Sequence, residues 1–413
     1  MKKDHLKNTL IRICSQPRTL EFISKKMGGL DPIKISHLLK ELEKENKIFK
    51  KDGYWSIKIK NEELFLDLID QDSELYLKKH MGYFNFLKNP HPLDFEWRNT
   101  AKSLNFLTDL IENLNGKTDK VLLLGMPTLY ANCNQRNIPQ NVTLVERNKP
   151  IVEALEKFSK KNSKIILEDI FSAKPDKIGK FYSVIMDPPW YSNFLYQFVW
   201  LASKCLLPGG VLVISIPPIN TRERIDKERI DWFSYCQKQG LCIEKLEPEK
   251  LEYAMPFFEF NAFRQAGVSN TLPFWRKGDL AFFRKVEQTN SKRPKLEVEK
   301  NNWEELQIES MRLRVKINSN QIEKDEEIKI TSLVEGDILP SVSRSTKIRD
   351  EANVWTTGNR IFKVNNPKKF WNILIKEENH FVCDWFEMII NLEDKEYKDY
   401  LAHIYYEMER DAN

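Results

Sequence analysis

The sequence predicts an α/β fold built on a doubly wound, mainly parallel sheet. Short apolar runs recur between residues 119 and 287, at 121–125 (VLLLG), 142–146 (VTLVE), 164–168 (KIILE), 182–186 (YSVIM) and 211–216 (VLVISI). Helical segments separate several of them, for example 149–161 and 192–206. Such alternation puts helices on both faces of a sheet whose buried strands read as continuous apolar runs. Composition agrees: over 413 residues, 41% are apolar and 30% charged, enough to build packed cores and too apolar for a disordered chain.

The flanking elements follow in order. In residues 1–60, Leu6, Leu10 and Ile13 recur at helical spacing. Thr19 can cap a second helix carrying Phe22, Ile23 and Met27, which Gly28-Gly29 ends. Asp31-Pro32 supplies an N-cap and a first-turn proline for a third helix. That helix has Ile35, Leu38, Leu39 and Leu42 inside and Lys34, Lys40, Lys44 and Lys47 outside. Two short strands around an Asp52-Gly53 turn follow. Helix–helix–helix–hairpin with a basic third helix resembles a winged helix-turn-helix, which binds nucleic acid or a protein partner. Residues 61–118 read as a helical connector broken at Asn89-Pro90-His91-Pro92. After the five strands, 241–246 and 279–285 suggest an antiparallel edge pair. Residues 288–300 read as a polar linker and 301–413 as a C-terminal α+β module with a helical tail from Pro367 to Arg410.

Charge and special residues narrow the classes. The net charge is +5, but residues 1–60 hold 15 Lys/Arg against 7 Asp/Glu. A nucleic-acid field is therefore expected near the N-terminus. No run approaches the ~18 apolar residues of a membrane helix, and no apolar stretch follows the charged N-terminus as in a secretory signal. The six cysteines form no CxxC pair and the six histidines no HExxH, so no metal site is expected and reduced thiols in a cytoplasmic setting fit.

The sharpest chemical signal is Asp187-Pro188-Pro189-Trp190, followed by Tyr191, just after a buried strand. Open α/β sheets bind ligands beyond the carboxyl ends of their strands. Two prolines stiffen that loop and remove two backbone donors. What remains is a carboxylate and carbonyl oxygens, all acceptors, which suits an NH2 group with two donors. Trp190 adds a flat face for stacking a base.

This tetrapeptide resembles the catalytic motif of amino-methyltransferases that use S-adenosylmethionine to modify adenine N6 or cytosine N4. The surrounding pattern is similar to the Rossmann-like class I methyltransferase fold. The turn Gly125-Met126-Pro127-Thr128-Leu129-Tyr130 does not match GxGxxG but looks like the GxPxLY-type turn of the N6-adenine methylase group. The resemblance covers about 170 residues. It implies Asp187, Pro188, Pro189 and Trp190 as catalytic residues. It implies Gly125, Pro127, Glu146, Asp169, Ile170 and Asp187 as cofactor-binding, with Glu146 on the ribose and Asp169-Ile170 at the adenine. Trp190 and Tyr191 would bind substrate.

Three functions follow. The first is a methyltransferase acting on an exocyclic amine, with adenine N6 in nucleic acid as the target. The second is an aminopropyl transferase resembling branched-chain polyamine synthases, which carry a DPP motif at the same place; their acidic cluster after the first strand is missing from Gly125-Met126-Pro127-Thr128. The third is an inactive nucleic-acid-binding regulator or scaffold. Nucleic acid is the expected partner, no membrane is expected, and a protein partner or homodimer could form through the winged helix or the C-terminal module.

Overall fold

The computed structural model describes residues 3–57, 87–94, 96–268, 271–295, 303–308, 311–317, 327–376 and 380–410. Residues 58–60 of the expected winged helix-turn-helix, 61–86 and Phe95 of the expected connector, and 296–300 of the expected linker lie outside the described residues.

The N-terminal part contains α1 (Lys3–Ile13), α2 (Leu20–Lys26), α3 (Pro32–Lys44) and the hairpin β1 (Phe49–Lys51) and β2 (Tyr54–Ser56). The expected caps form: Thr19 Oγ1 accepts from Phe22 N at 3.2 Å, and Asp31 Oδ1 from Ile33 N at 2.8 Å. Asp52 and Gly53 both have positive φ, as a two-residue turn matched to strand twist requires. Leu10, Ile23, Ile35, Leu39 and Leu42 close a core of their own.

A helix α4 (Ala101–Leu114), capped by Thr100, leads into the central sheet. The sheet and its helices run β3 (Lys120–Leu124), α5 (Pro127–Arg136), β4 (Asn141–Glu146), α6 (Lys149–Glu156), β5 (Ser163–Leu167), α7 (Pro175–Ile178), β6 (Phe181–Met186), α8 (Ser192–Cys205), β7 (Leu206–Ile216), α9 (Ile225–Lys238), β8 (Leu241–Tyr253), α10 (Phe257–Gln265) and β9 (Arg276–Lys285). Strand order is β5-β4-β3-β6-β7-β9-β8. The first five are parallel, and β9 inserts antiparallel between β7 and β8. All seven expected strands are present. The fifth begins at Leu206 rather than 211, because Leu206 pairs with Phe181 before the bulge that precedes Val211. One face of the sheet packs α8 and α9, the other α4, α5 and α6.

The C-terminal part has a second sheet of β10 (Trp303–Ile308), β11 (Met311–Lys316), β12 (Ile330–Ser332), β13 (Val354–Thr356) and β14 (Ile361–Val364), ordered β10-β11-β13-β14-β12, and two helices, α11 (Pro367–Lys376) and α12 (His380–Arg410). All three parts meet around α10, where Phe257, Phe260 and Phe263 pack with Leu20 and Ile33 of the N-terminal part and Tyr397, Tyr400 and Ile404 of α12. Phe257, Phe258 and Phe260 are all buried. No described helix is long and apolar enough to cross a membrane, and no metal-binding group of His, Cys, Asp or Glu occurs among the described residues.

Two expectations change. The stretch 288–295 is not a free tether but lies along α8: Gln197 donates to Pro294 O, Trp200 Nε1 to Ser291 O, and Arg293 reaches Phe171 O and Ala173 O. The basic N-terminal field is also partly neutralised. Lys3 and Lys7 pair with Glu41 and Glu45, and Lys34 lies 3.7 Å from Glu223 of the central domain.

Gly240 turns α9 into β8 at φ +72°, and a Cβ there would stand 2.1 Å from Glu287 O. Gly240→Ala is therefore expected to lower stability by about 2 kcal/mol or more. A fall in the urea midpoint at unchanged slope checks this.

Candidate active site

The loops after β3, β4, β5, β6 and β7 all leave from the carboxyl edge of the sheet, and two adjoining cavities open there. The larger, about 220 Å³, is lined by Asp187, Pro188, Pro189, Trp190 and Tyr191. The smaller, about 140 Å³, is lined by Gly125, Pro127, Glu146, Asp169 and Ile170. Glu96, Gly125, Pro127, Asp187 and Pro189 line both, so Asp187 stands where they join. Every residue singled out from the sequence thus borders one cavity or the other.

Asp187 is partly buried at the end of β6. Burial pushes its carboxyl up to about 6, while hydrogen bonds from Tyr253, Ser215 and Asn99 hold it down. Tyr253 OH and Ser215 Oγ lie 2.6 Å apart. A carboxylate offers about four acceptor positions; three face protein donors, which leaves room for a donor from the cavity. Asn99 Oδ1, also buried, has no hydrogen-bond partner. The site therefore presents acceptors without a matching donor.

In the smaller cavity, Glu146 Oε1 accepts from Arg147 N and Asn148 N, both at 2.9 Å. Burial nevertheless raises this carboxyl to about 7. Asp169 Oδ1 accepts from Phe171 N at 2.9 Å, and Ile170 is buried beside it. Gly125 sits at φ +65°, where a Cβ would meet the Phe198 ring at 3.6 Å, and Pro127 starts α5. The backbone can thus border the cavity without a side chain filling it.

The larger cavity has aromatic walls: Trp97, Trp190, Tyr253 and Trp275. Trp190 meets Tyr253 edge-to-face at 5.6 Å, and its carbonyl accepts from Arg222 Nη2 at 2.5 Å. The Arg276 guanidinium lies 4.6 Å from both the Trp97 and Trp275 rings and pairs with the fully buried Glu259. Gly29 and Asp31 of the N-terminal part and Val342 and Ser343 of the C-terminal part complete the rim.

Sequence reasoning overlooked Glu96, Trp97, Asn99, Ser215, Tyr253 and Arg222. Ser215 and Arg222 follow from the rule that pointed to Asp187, since both lie at or past the end of β7. The acidic-aromatic run Glu96-Trp97-Arg98-Asn99 was visible but lay in a stretch read as connector. Nothing local marks Tyr253.

Asp187 titrates near 6 folded and near 3.8 unfolded. The folded state therefore holds more protons between these values, and stability falls as pH rises through them. Asp187→Asn is expected to raise stability by about 1–3 kcal/mol at pH 7 and to make no difference below about pH 4. Thermal unfolding of both proteins across this range checks it; a variant less stable at pH 7 contradicts it.

No family model matches the sequence, and no curated protein matches it. Among solved structures, the fold is similar to the branched-chain polyamine synthase of Thermus thermophilus with N4-aminopropylspermidine and 5'-methylthioadenosine bound. Its C9 mutein matches at TM-score 0.55 and 13% identity over 72% of this chain and 90% of that one. A second structure of the synthase matches at 0.53 and 13% identity, over 71% and 90%. The N-methyltransferase NodS of Bradyrhizobium japonicum is more distant, at 0.31 and 12% identity over 45% and 97%. At these identities the likeness to the synthase establishes a shared Rossmann-like α/β fold.

Proposed function

We propose that this chain is an S-adenosylmethionine-dependent N-methyltransferase acting on the exocyclic amine of a flat ring, with adenine N6 in nucleic acid as the target. The observation that carries this reading is the placement of Asp187, with an acceptor position left to the cavity and the unpartnered Asn99 Oδ1 nearby, at the junction of the two cavities, backed by aromatic walls. The N-terminal helices and hairpin are read as a winged helix-turn-helix that helps present the substrate. Residues 1–60, 61–118, 119–287, 288–300 and 301–413 serve as working units.

The smaller cavity fits the cofactor. Glu146 spends one carboxylate oxygen on backbone donors and keeps Oε2 for ribose hydroxyls. Ile170 and Phe171 offer apolar contact for an adenine, and Gly125 allows close backbone approach. When bound, the cofactor supplies an electrophilic methyl on a sulfonium.

In the larger cavity, Asp187 and the Pro188 carbonyl accept the two N–H bonds of the amine, which aims its lone pair out of the hydrogen-bonding plane. Trp190 stacks the ring, and Arg222 fixes Trp190 through its carbonyl. With the cofactor held by Glu146, Ile170 and Gly125, its sulfonium would give up the methyl and keep the bonding pair, and the amine held by Asp187 would have one proton to lose. With a carboxyl near 6, Asp187 can take that proton and pass it to water. The walls mainly position two reactants, the largest contribution available without covalent chemistry.

A second reading is aminopropyl transfer to a polyamine. Two observations favour it: the fold likeness over most of a polyamine synthase, and carboxylates Asp31, Glu96 and Asp94 around the cavities. These acids come from other segments than the turn after β3, where the sequence shows none. Asp94 is held by Arg312 and Arg314, and Glu96 by Arg98, so each has a cation already.

Full-length protein is expected to bind S-adenosylmethionine by calorimetry and to transfer labelled methyl groups to single-stranded DNA or RNA. Asp187→Ala should reduce transfer at least a hundredfold with cofactor binding retained. Glu146→Gln should weaken cofactor binding about tenfold. Transfer from decarboxylated S-adenosylmethionine to spermidine, with none to nucleic acid, would establish the second reading.

A further inference from the structure

We propose that Arg276 reads the ring that carries the amine. Its guanidinium donates a hydrogen bond to a ring nitrogen beside that amine, so the larger cavity selects an aminopurine or aminopyrimidine over a polyamine or a lysine side chain. This rests on the reading of Asp187 as the acceptor of an amine on a flat ring. That reading alone leaves the ring undefined, because Asp187, the Pro188 carbonyl and Trp190 would serve any aromatic amine.

The sheet brings this donor to the site. Arg276 opens β9 and stands directly opposite Tyr253 in the β8–β9 register. Tyr253 in turn bonds Asp187. The guanidinium carbon lies 6.0 Å from the ring centre of Trp190, the residue read as stacking the base. Arg276, Trp190 and Asp187 all line the larger cavity. The Arg276 side chain is 14% exposed, so it is packed without being sealed off. Trp97 and Trp275 flank the guanidinium, and both send their indole N–H to the buried Glu259, which also takes Arg276 Nη2. The group is thus fixed in place and its charge is balanced by Glu259.

What is left over is a donor. Arg276 Nε is buried and has no hydrogen-bond partner among the described residues. Other strong donors around this cavity are spent: Arg222 on Glu228 and the Trp190 carbonyl, Arg98 on Glu96 and the Lys88 carbonyl, and both indoles on Glu259. On the acceptor side stand Asp187 and the unpartnered Asn99 Oδ1. A donor and acceptors around one cavity match a ligand of the opposite order, an amine next to an acceptor nitrogen. Adenine has that edge at N6 with N1 or N7, and cytosine at N4 with N3. A buried donor left unpaired is costly, so a site built around one rejects analogues that lack its partner. A cationic polyamine or lysine offers donors only. Either would leave Nε unpaired and bring a second cation to the guanidinium.

The test is calorimetry on full-length protein with adenosine and its deaza analogues, in which C–H replaces one ring nitrogen. Adenosine and 3-deazaadenosine are expected to bind alike, while 1-deazaadenosine or 7-deazaadenosine binds at least tenfold more weakly. The sensitive analogue identifies the edge that Arg276 reads. Arg276→Lys keeps a cation for Glu259 but removes the planar fork. It should bring adenosine down to the affinity of the sensitive analogue and leave that analogue unchanged. Should this variant fail to fold, the wild-type series decides alone. Equal binding of all four nucleosides, with adenosine still weakened by Asp187→Ala, overturns the role of Arg276 and leaves the amine reading standing. Equal weakening of all four by Arg276→Lys overturns that role too, because a purely structural loss acts on every ligand. If cytidine binds and adenosine does not, 3-deazacytidine takes the place of the series with the same expectation. No binding of either nucleoside overturns both the amine reading and the role of Arg276.

Discussion

The structure depends on one constraint: a carboxylate must be held, partly out of water, at the carboxyl end of a buried parallel strand. Asp187 follows directly from β6, which is walled on both sides by β3 and β7. Desolvating a charge is costly unless donors replace water. Here they come from three elements: Ser215 on β7, Tyr253 at the end of β8, and Asn99 before α4. The antiparallel insertion of β9 makes this geometry possible. It displaces β8 to the edge, and two register shifts along β8 bend that strand. The Tyr253 side chain then crosses to Ser215 on β7. Asn99 bridges to Tyr253, and Thr100 N donates to Glu252 O, so the entry to α4 is stitched to the same strand end.

A second layer of buried polar groups surrounds that centre and reaches into the C-terminal part. Glu259 accepts from Trp97, Trp275 and Arg276 and is fully buried. Asp94 bonds Arg312 and Arg314, which Glu305 also binds. Glu393 binds Thr356 and Gly358 N beside Arg360, which pairs with Glu396. Such networks are worth little in net stability against an apolar core, but removing one member strands the others. Their value here is placement: Asp94 ties a segment that borders the smaller cavity to β11 of the C-terminal part, and Asn261 of α10 reaches Gly358 O and Glu396 beside the Glu393 group. The rim residues Val342 and Ser343 are thus presented by a module fastened to the central domain at several points.

How much of this was legible follows from the range of each signal. Strands declare themselves by local apolar runs, and caps such as Thr19 and Asp31 by neighbours two or three residues away. The carboxyl-edge rule points to Asp187 after its strand, and the resemblance to class I methyltransferases implies Gly125, Glu146 and Asp169, which line the adjoining cavity. Tyr253 was out of reach because its role depends on the bending of an edge strand. Arg276 and Trp275 have no local signal either: their place beside Trp97 comes from α10 packing against two other parts of the chain. The 288–295 stretch reads as a linker from its polar composition, and nothing in that composition shows that its carbonyls accept from donors on α8.

The N-terminal charge gains a different meaning in this setting. In a helix-turn-helix the N-terminal residues of the recognition helix enter the groove. The start of α3 is instead turned to the central domain: Asp31 lines the larger cavity, and Lys34 approaches Glu223. Lys3 and Lys7 are spent on acids of the same unit. A duplex therefore cannot dock on the start of α3 in the usual manner without separating two packed parts. The exposed lysines farther along α3, Lys40 and Lys44, remain able to attract a polyanion to the outside of the unit. A cavity of about 220 Å³ with a rim from three parts of the chain admits a single ring, not a paired strand. Any base in a nucleic acid would have to arrive already unstacked, which favours single strands or extruded nucleotides. The fold thus filters ligands by shape at the cavity that holds Asp187.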